Sequence, residues 1–139
     1  MKLTRFSDYA MRVMLDLGRR PGELSSIAAL ADAHGISQNH LMKIVSDLVN
    51  AGYLESVRGR SGGVRLARPP ETINIGELLR HTEDELILVS CGDCILTQGC
   101  GFNGALGQAM GAFMRVLDGY SLADLLAGRH DFIKQAASA

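Results

Sequence analysis

Apolar residues recur at helical spacing in three successive segments at the start of the chain. In "SDYAMRVMLDLG" they fall on one helix face, with Ser7 as the expected N-cap. This face consists of Tyr9, Ala10, Val13, Met14 and Leu17. The segment "SSIAALADAHG" predicts a second helix, capped by Ser25 or Ser26 and stopped at Gly35.

The third segment, "SQNHLMKIVSDLVNAG", carries the clearest helix signals of the chain. Ser37 is the expected N-cap, and Gly52 suits the position just after the helix end. The apolar stripe consists of Leu41, Ile44, Val45 and Leu48. Only Gly35 and Ile36 separate the second helix from the third, a spacing typical of a helix-turn-helix.

A basic β-hairpin is predicted directly after the third helix. Two short runs, Tyr53–Val57 and Val64–Ala67, flank a tip rich in Gly, Ser and Arg. The tip and second strand carry no acid and four arginines, namely Arg58, Arg60, Arg65 and Arg68. A helix-turn-helix followed by a basic hairpin is the layout of a winged helix-turn-helix.

The remainder of the chain predicts three more helices around a cysteine-containing loop. "INIGELLRHTED" and "SLADLLAG" suit short helices, the second with Ser121 and Asp124 in capping-box positions. Between them, "ALGQAMGAFMRVL" suits a long helix whose apolar stripe is Leu106, Met110, Phe113, Met114 and Leu117. This stripe favours an isologous two-fold dimer, the alternative being that it packs within one chain.

The predicted fold is therefore mainly α. It is a winged helix-turn-helix with a small two-stranded β-wing, followed by a long C-terminal dimerisation helix. We expect a DNA-binding domain over residues 1–80 and a cysteine loop with the dimerisation helix over residues 81–139.

Composition and charge agree with a DNA-binding function. Hydrophobic residues make up 47% of the 139, enough for a core, and the absence of Trp favours helices over a β-sandwich. Residues 1–80 hold eleven Lys/Arg against eight Asp/Glu, whereas residues 81–139 hold three against seven. Asp8, Arg12 and Asp16 interrupt the first apolar run, so we expect no signal peptide, no membrane span and a cytoplasmic protein.

Residues on two elements are candidates for DNA contact. On the third helix Asn39, Lys43 and Ser46 point outward, His40 lies at the flank and Gln38 at the phosphate-facing N-terminus. The predicted contacts are Ser37, Gln38, Asn39, His40 and Lys43 on this helix, and Arg58, Arg60, Ser61 and Arg65 on the wing. The alternatives are a solvated helix face and, for Ser37, a capping role alone.

All three cysteines of the chain lie in "CGDCILTQGC", as Cys91, Cys94 and Cys100. They could be core residues, a redox pair with a spare thiol, or ligands of a metal or iron–sulfur cluster; their clustering favours ligands. A fourth ligand must then come from elsewhere. The candidates are Asp8, His34, His81, Glu85, a water or a small thiol.

Nothing in the sequence predicts an enzyme. It has no nucleophile–base motif, no phosphate-cradling glycine loop and no dinucleotide-binding fingerprint.

Taken together, these segments resemble the Rrf (type two) family of bacterial winged-helix regulators. The resemblance rests on "KLTRFSDYAMR", "HLMKIVSDLVNAGYLESVRGRSGGVRLA", the cysteine trio and "LDGYSLADLL", and covers nearly the whole chain. Within the family, the sequence is most similar to the nitric-oxide-sensing iron–sulfur repressors. The spacing of the first two cysteines is shorter here than is usual in the family, and "GFNG" replaces the basic residues that often follow the third cysteine.

The resemblance implies a cofactor, a partner and a signal. It implies a homodimer joined through the long helix, and a [4Fe-4S] or [2Fe-2S] cluster bound by Cys91, Cys94 and Cys100, with Asp8 of the partner subunit as the preferred fourth ligand. It also implies a repressor that binds a palindromic operator and releases it when nitric oxide attacks the cluster. Phe102 and Asn103 stand where iron–sulfur-homeostasis regulators place a His, which favours nitric oxide over iron status as the signal. A zinc-stabilised DNA-binding module is the other alternative.

Overall fold

The computed structural model of the chain describes residues 1–128. Within that range the chain forms six α-helices, one two-stranded antiparallel sheet and a short 3-10 turn at Pro70–Thr72. The elements are α1 (Arg5–Gly18), α2 (Ile27–His34), α3 (Gln38–Asn50), β1 (Leu54–Val57), β2 (Gly63–Leu66), α4 (Ile75–Thr82), α5 (Gly101–Asp118) and α6 (Leu122–Ala127). The predicted winged helix-turn-helix with a long C-terminal helix is confirmed.

The helix-turn-helix is fixed by local capping. The hydroxyl oxygen of Ser26 accepts a hydrogen bond from the Ala29 amide at 3.1 Å, and that of Ser37 accepts from the His40 amide at 3.2 Å. Between the two helices Gly35 takes a left-handed conformation, with φ of 64°, which a residue with a Cβ adopts only at a cost. The predicted boundaries of this motif are confirmed.

The predicted N-cap of α1 is wrong. The helix starts earlier, at Arg5, and Thr4 caps it by accepting a hydrogen bond from the Ser7 amide at 3.2 Å. Ser7 is buried, and its hydroxyl donates to Thr82 Oγ1 at 2.8 Å. Ser7 therefore lies in the first turn of α1, and its hydroxyl bonds Thr82 of α4 instead of capping the helix.

The core joins α1, α3, the wing and α4. Leu41, Ile44, Val45 and Leu48 of α3 are buried as predicted. Leu122 of α6 is also fully buried in the same cluster, and α6 packs against α1. The core of the DNA-binding unit therefore includes a helix from beyond the predicted boundary at residue 80, and residues 129–139 of the predicted second domain lie outside the described part.

The wing is attached to the segment that precedes α2. In the hairpin Leu54 pairs with Leu66 and Val57 with Gly63, and Ser25 forms an isolated bridge with Val64 through two backbone hydrogen bonds of 2.8 and 3.0 Å. A Cβ at Gly63 would lie 2.6 Å from the Ser25 carbonyl oxygen. Gly63 is therefore required for this close approach, which sets where the wing tip lies.

Helix α5 begins at Gly101, directly after Cys100. Its C-terminal end packs against α4. Arg80 donates to the Asp118 carboxylate, with Nη2 at 2.8 Å from Oδ2, and Asn74 Nδ2 donates to the Asp118 carbonyl oxygen at 2.8 Å. Residues 83–100, which connect α4 to α5, contain neither helix nor strand. Among residues 1–128, no helix is long and apolar enough to cross a membrane.

Candidate DNA-binding face and cysteine centre

The outward face of α3 carries the predicted polar residues. Gln38, Asn39 and Lys43 are exposed, opposite the buried stripe of the same helix. His40 is half-buried, and its ring meets the Tyr9 ring edge-on with 5.3 Å between centroids. His40 therefore links the start of α3 to α1, while Asn39 and Lys43 are free to enter a DNA groove.

Ser37 combines its capping role with an exposed position. Its oxygen accepts from the His40 amide, which leaves the hydroxyl proton available to donate to a phosphate oxygen. The capping role is shown by the hydrogen bond, and DNA contact by Ser37 stays a prediction.

Sequence reasoning missed Met42 on the same face. Its side chain is 53% exposed although it is large and apolar. Its spacing from Asn39 and from Ser46 is the signal that could have identified it, since residues three and four apart share a helix face. An exposed apolar side chain on such a helix is suited to contact with a thymine methyl group.

The four wing arginines differ in their surroundings. Arg58 and Arg60 are exposed at the tip beside exposed Ser61, and neither forms an ion pair within the described residues. Arg65 pairs with Glu55 across the hairpin, with 3.1 Å between Nε and Oε2. The guanidinium of Arg68 lies over the Tyr53 ring, 4.6 Å from its centroid. The tip arginines are therefore the two best placed to meet a phosphate backbone.

The cysteines lie on an open loop that ends at α5. Cys91 and Cys100 are half-buried, Cys94 is exposed, and all three are free thiols. The Cys94 amide donates to the Cys91 carbonyl oxygen at 3.2 Å, and the Thr97 hydroxyl lies 2.9 and 2.6 Å from the Cys91 and Cys94 carbonyl oxygens. Cys100 occupies the N-cap position of α5 without a side-chain capping bond, where the helix favours anionic groups.

The donor set fits an iron–sulfur cluster in chemistry, because three free thiols lie on one exposed loop. Over residues 1–128, however, no three His, Cys, Asp or Glu side chains converge on one point. The loop must therefore close around a cluster in order to hold it, and the three-cysteine site stays a prediction.

Three of the candidate fourth ligands already have partners in the same chain. Asp8 pairs with Arg12 through bonds of 2.9 and 3.0 Å, and this hydrogen bond raises the pKa of Arg12. His34 Nε2 lies 2.8 Å from Asp16, and His81 Nε2 lies 2.7 Å from Asp47. The fourth candidate, Glu85, is exposed at the start of the cysteine loop.

The geometry defines a winged-helix DNA-binding protein with an appended cysteine loop, and comparison with known proteins assigns its family. The sequence profile described as "Rrf2: Iron-dependent Transcriptional regulator" matches residues 3–128. The chain belongs to the Rrf2 family of transcriptional regulators.

Two curated relatives, both named NsrR, cover nearly the whole chain. The chain is 46% identical to the HTH-type transcriptional regulator NsrR of Bacillus subtilis (strain 168), covering 96% of each protein. It is 47% identical to NsrR of Geobacillus kaustophilus (strain HTA426), over 93% of this chain and 92% of that protein. These matches agree with an NsrR-type regulator, as the sequence predicts.

Solved structures support the same fold. CymR, the global cysteine regulator of B. subtilis, superposes with a TM-score of 0.76 at 29% identity, covering 91% of this chain and 97% of that one. T. potens IscR superposes with a TM-score of 0.72 at 29% identity, covering 91% and 86%. These relatives are transcriptional regulators, so the prediction that the chain is not an enzyme is confirmed.

Proposed function

We propose that the chain is a homodimeric repressor that binds a palindromic operator while it holds an iron–sulfur cluster and releases the operator when nitric oxide reacts with that cluster. The observation that carries the proposal is the position of three free thiols on an open loop between α4 and α5, next to a complete winged helix. The similarity to NsrR supports it.

DNA binding divides between the two elements of the winged helix. Asn39, Met42 and Lys43 lie on the exposed face of α3 and would meet base edges in the major groove. The tip arginines and Ser61 would follow the phosphate backbone, together with Ser37 and Gln38 at the N-terminus of α3. Arg65 would contribute less, because Glu55 already neutralises its charge.

The cluster, [4Fe-4S] or [2Fe-2S], would be held by Cys91, Cys94 and Cys100. When bound, it supplies iron that reacts with nitric oxide. The residues of the chain provide an open loop that a diatomic molecule can reach, since Cys94 is exposed and its neighbour Ile95 is 97% exposed.

Asp8 of the partner subunit is the proposed fourth ligand. Its ion pair with Arg12 is a surface pair within one helix, and the two side chains are 46% and 48% exposed. Exposed pairs of this kind stabilise a protein little, so Asp8 can leave Arg12 for iron at small cost. A carboxylate on iron would also connect the cysteine loop of one subunit to α1 of the other.

Two other functions are favoured by particular observations. The family description "Iron-dependent" and the structural similarity to IscR favour a sensor of iron or iron–sulfur status. The three free thiols of the loop, if the loop closes around a metal, could instead hold zinc and stabilise a DNA-binding module.

Anaerobic purification followed by absorption spectroscopy and native mass spectrometry separates these functions. The proposal predicts a brown protein whose cluster mass changes on addition of nitric oxide, and complete loss of the cluster in Cys94→Ala. Ser90→Ala is the matched control on the same segment and should keep the cluster. A colourless protein that contains zinc, or a cluster inert to nitric oxide, would contradict the proposal.

The fourth ligand has its own test. Asp8→Ala should retain the cluster, because three thiolates remain, but should change its absorption spectrum and its rate of reaction with nitric oxide. Arg12→Ala removes the partner of Asp8 without removing a ligand and serves as the control. An Asp8→Ala protein with unchanged spectrum, nitric oxide reaction and DNA affinity would exclude Asp8.

A further inference from the structure

Three consecutive residues at the C-terminal end of α4 bind two different helices of the DNA-binding unit. His81, Thr82 and Glu83, called the junction below, contact α3 and α1 through their side chains. They stand immediately before the segment that carries the cysteines. Within the described residues, no side chain between residues 84 and 100 forms a hydrogen bond with α1 or α3. The junction is therefore the last polar attachment of the DNA-binding unit before the cysteines.

His81 holds the second half of the recognition helix. Its Nε2 lies 2.7 Å from Asp47 Oδ2 on α3, and its ring packs against Tyr53 with 5.9 Å between centroids. Asp47 lies on the same helix as Asn39 and Lys43. A displacement of the end of α4 would therefore act directly on the helix that carries the proposed base contacts.

Thr82 and Glu83 hold the first turn of α1. Ser7 donates its hydroxyl to Thr82, which in turn donates to the Leu79 carbonyl oxygen at 3.3 Å. Glu83 Oε1 accepts from the backbone amide of Thr4 at 2.7 Å and from the Thr4 hydroxyl at 3.0 Å. Ser7, Thr82 and Glu83 are all buried, so water does not easily replace these bonds.

The charge of Glu83 strengthens this attachment. Burial opposes ionisation of the carboxyl, but the neighbouring Ser7 hydroxyl and the two hydrogen bonds from Thr4 outweigh burial and lower the pKa of Glu83. Glu83 thus accepts bonds as a carboxylate at neutral pH, and bonds to a charged acceptor are stronger than neutral ones. The two bonds from Thr4 to Glu83 therefore fix the N-cap of α1 to the residue that precedes the cysteine segment.

We propose that the junction transmits the state of the cysteine loop to the recognition helix, with Thr82 and Glu83 acting on α1 and His81 acting on α3. This inference rests on the proposed function, and it assigns positioning roles to three residues to which that function gives no contact with the cluster or with DNA. When the loop opens, the end of α4 shifts, and α1 and α3 shift with it because they share its hydrogen bonds.

The test compares the affinities of cluster-loaded and cluster-free protein for one operator duplex, obtained beforehand by in vitro selection with the cluster-loaded protein. In the wild type the ratio should fall in the range of about 5–150-fold that is typical of allosteric coupling. Thr82→Val keeps the shape of the side chain but cannot bond Ser7, and it should reduce the ratio by about fivefold or more while cluster content stays the same. Thr82→Ser should restore the wild-type ratio, which a purely steric role of Thr82 would not produce.

Two further variants test the inference independently of Thr82→Val, which could fail to fold, and one of them is measured in cluster-free protein. His81→Leu breaks only a partly exposed bond, and in cluster-free protein it should increase amide hydrogen exchange in the second half of α3. Glu77→Gln, an exposed change on the same helix, is the matched control for both measurements. If Thr82→Val and His81→Leu kept the wild-type ratio of loaded to cluster-free affinity, as Glu77→Gln should, the inference would be overturned and the proposed function would stand. A wild-type ratio of one would overturn both.

Discussion

The winged-helix unit (residues 4–83 with α6) and the cysteine segment with α5 (residues 84–118) are built differently. The first closes its own core, with Leu41, Ile44 and Leu48 fully buried and each helix start capped. In α5, by contrast, Met114 is the one buried side chain. Six of the nine large hydrophobic residues that are exposed in the described part lie in the second region, namely Ile87, Ile95, Leu96, Phe102, Phe113 and Val116.

This difference indicates where partners act. Large apolar side chains that are exposed together on one part of a chain are typical of an interaction site. The winged-helix unit is complete before it meets DNA, whereas the cysteine segment and α5 need something to cover them. We expect a second subunit to cover α5 and a cluster to order the loop.

The largest expected effect separates the two regions by stability. Leu41→Ala leaves a cavity in a closed core and should lower the free energy of unfolding by about 2–5 kcal/mol. Ile95→Ala removes an exposed side chain and should change it by less than about 0.5 kcal/mol. Urea unfolding of the cluster-free protein measures both. Equal losses would mean that the loop packs as tightly as the core.

The next prediction tests whether a subunit covers α5. Phe113 is 41% exposed in the single chain, and Phe113→Glu should convert a dimer into a monomer because it buries a charge in an apolar interface. Gln108→Glu adds the same charge at another exposed position of α5 and should leave the dimer intact. Sedimentation equilibrium distinguishes the two. A Phe113→Glu dimer as stable as the wild type would place the interface elsewhere.

Within the winged-helix unit, α3 and the wing should differ in what they contribute to DNA binding. Asn39→Ala should reduce discrimination between operator and mutated sites by about 1–3 kcal/mol. Arg60→Ala should weaken binding to all duplexes alike and lower the salt slope by about one unit. Arg65→Ala is the control, since Glu55 already pairs with that arginine. An unchanged salt slope in Arg60→Ala would remove the wing tip from the interface.

The smallest effect is the acid dependence that Glu83 gives to the winged-helix unit. The folded-state pKa of Glu83 lies below its ordinary value of 4.5, so its stabilising contribution is complete above that pH and is lost as the pH falls through the folded value. One such carboxyl contributes a slope of at most about 1.4 kcal/mol per pH unit. Urea unfolding below pH 4.5 should be less pH-dependent in Glu83→Gln than in Asp84→Asn, which changes an exposed carboxyl. If the free energy of unfolding depended equally on pH in both variants, Glu83 would not be the source of the acid dependence.

The sequence predicts elements whose signals are local. Ser26, Gly35 and Ser37 mark the helix-turn-helix because their caps and turns lie within a few residues. The two short runs of the wing with their Gly-rich tip and the apolar stripe of α3 are equally local signals, and the solved structures of relatives confirm the fold that these signals indicate.

Features that depend on distant partners could not be predicted. The cap of α1 was misplaced because Ser7 bonds a residue 75 positions away. Arg65 is predicted as a DNA contact because the sequence alone does not show that Glu55, on the opposite strand, pairs with it. The proposed convergence of the three cysteines would depend on a bound group, and the described residues alone do not bring them together.

The most direct test of the account is the affinity of one operator for three forms of the protein, measured anaerobically by fluorescence anisotropy at fixed salt. The forms are the cluster-loaded wild type, the same sample after addition of nitric oxide, and Cys94→Ala. We predict tight binding by the first and equally weak binding by the other two. Binding that is the same in all three would contradict the claim that the cysteine loop controls the winged helix.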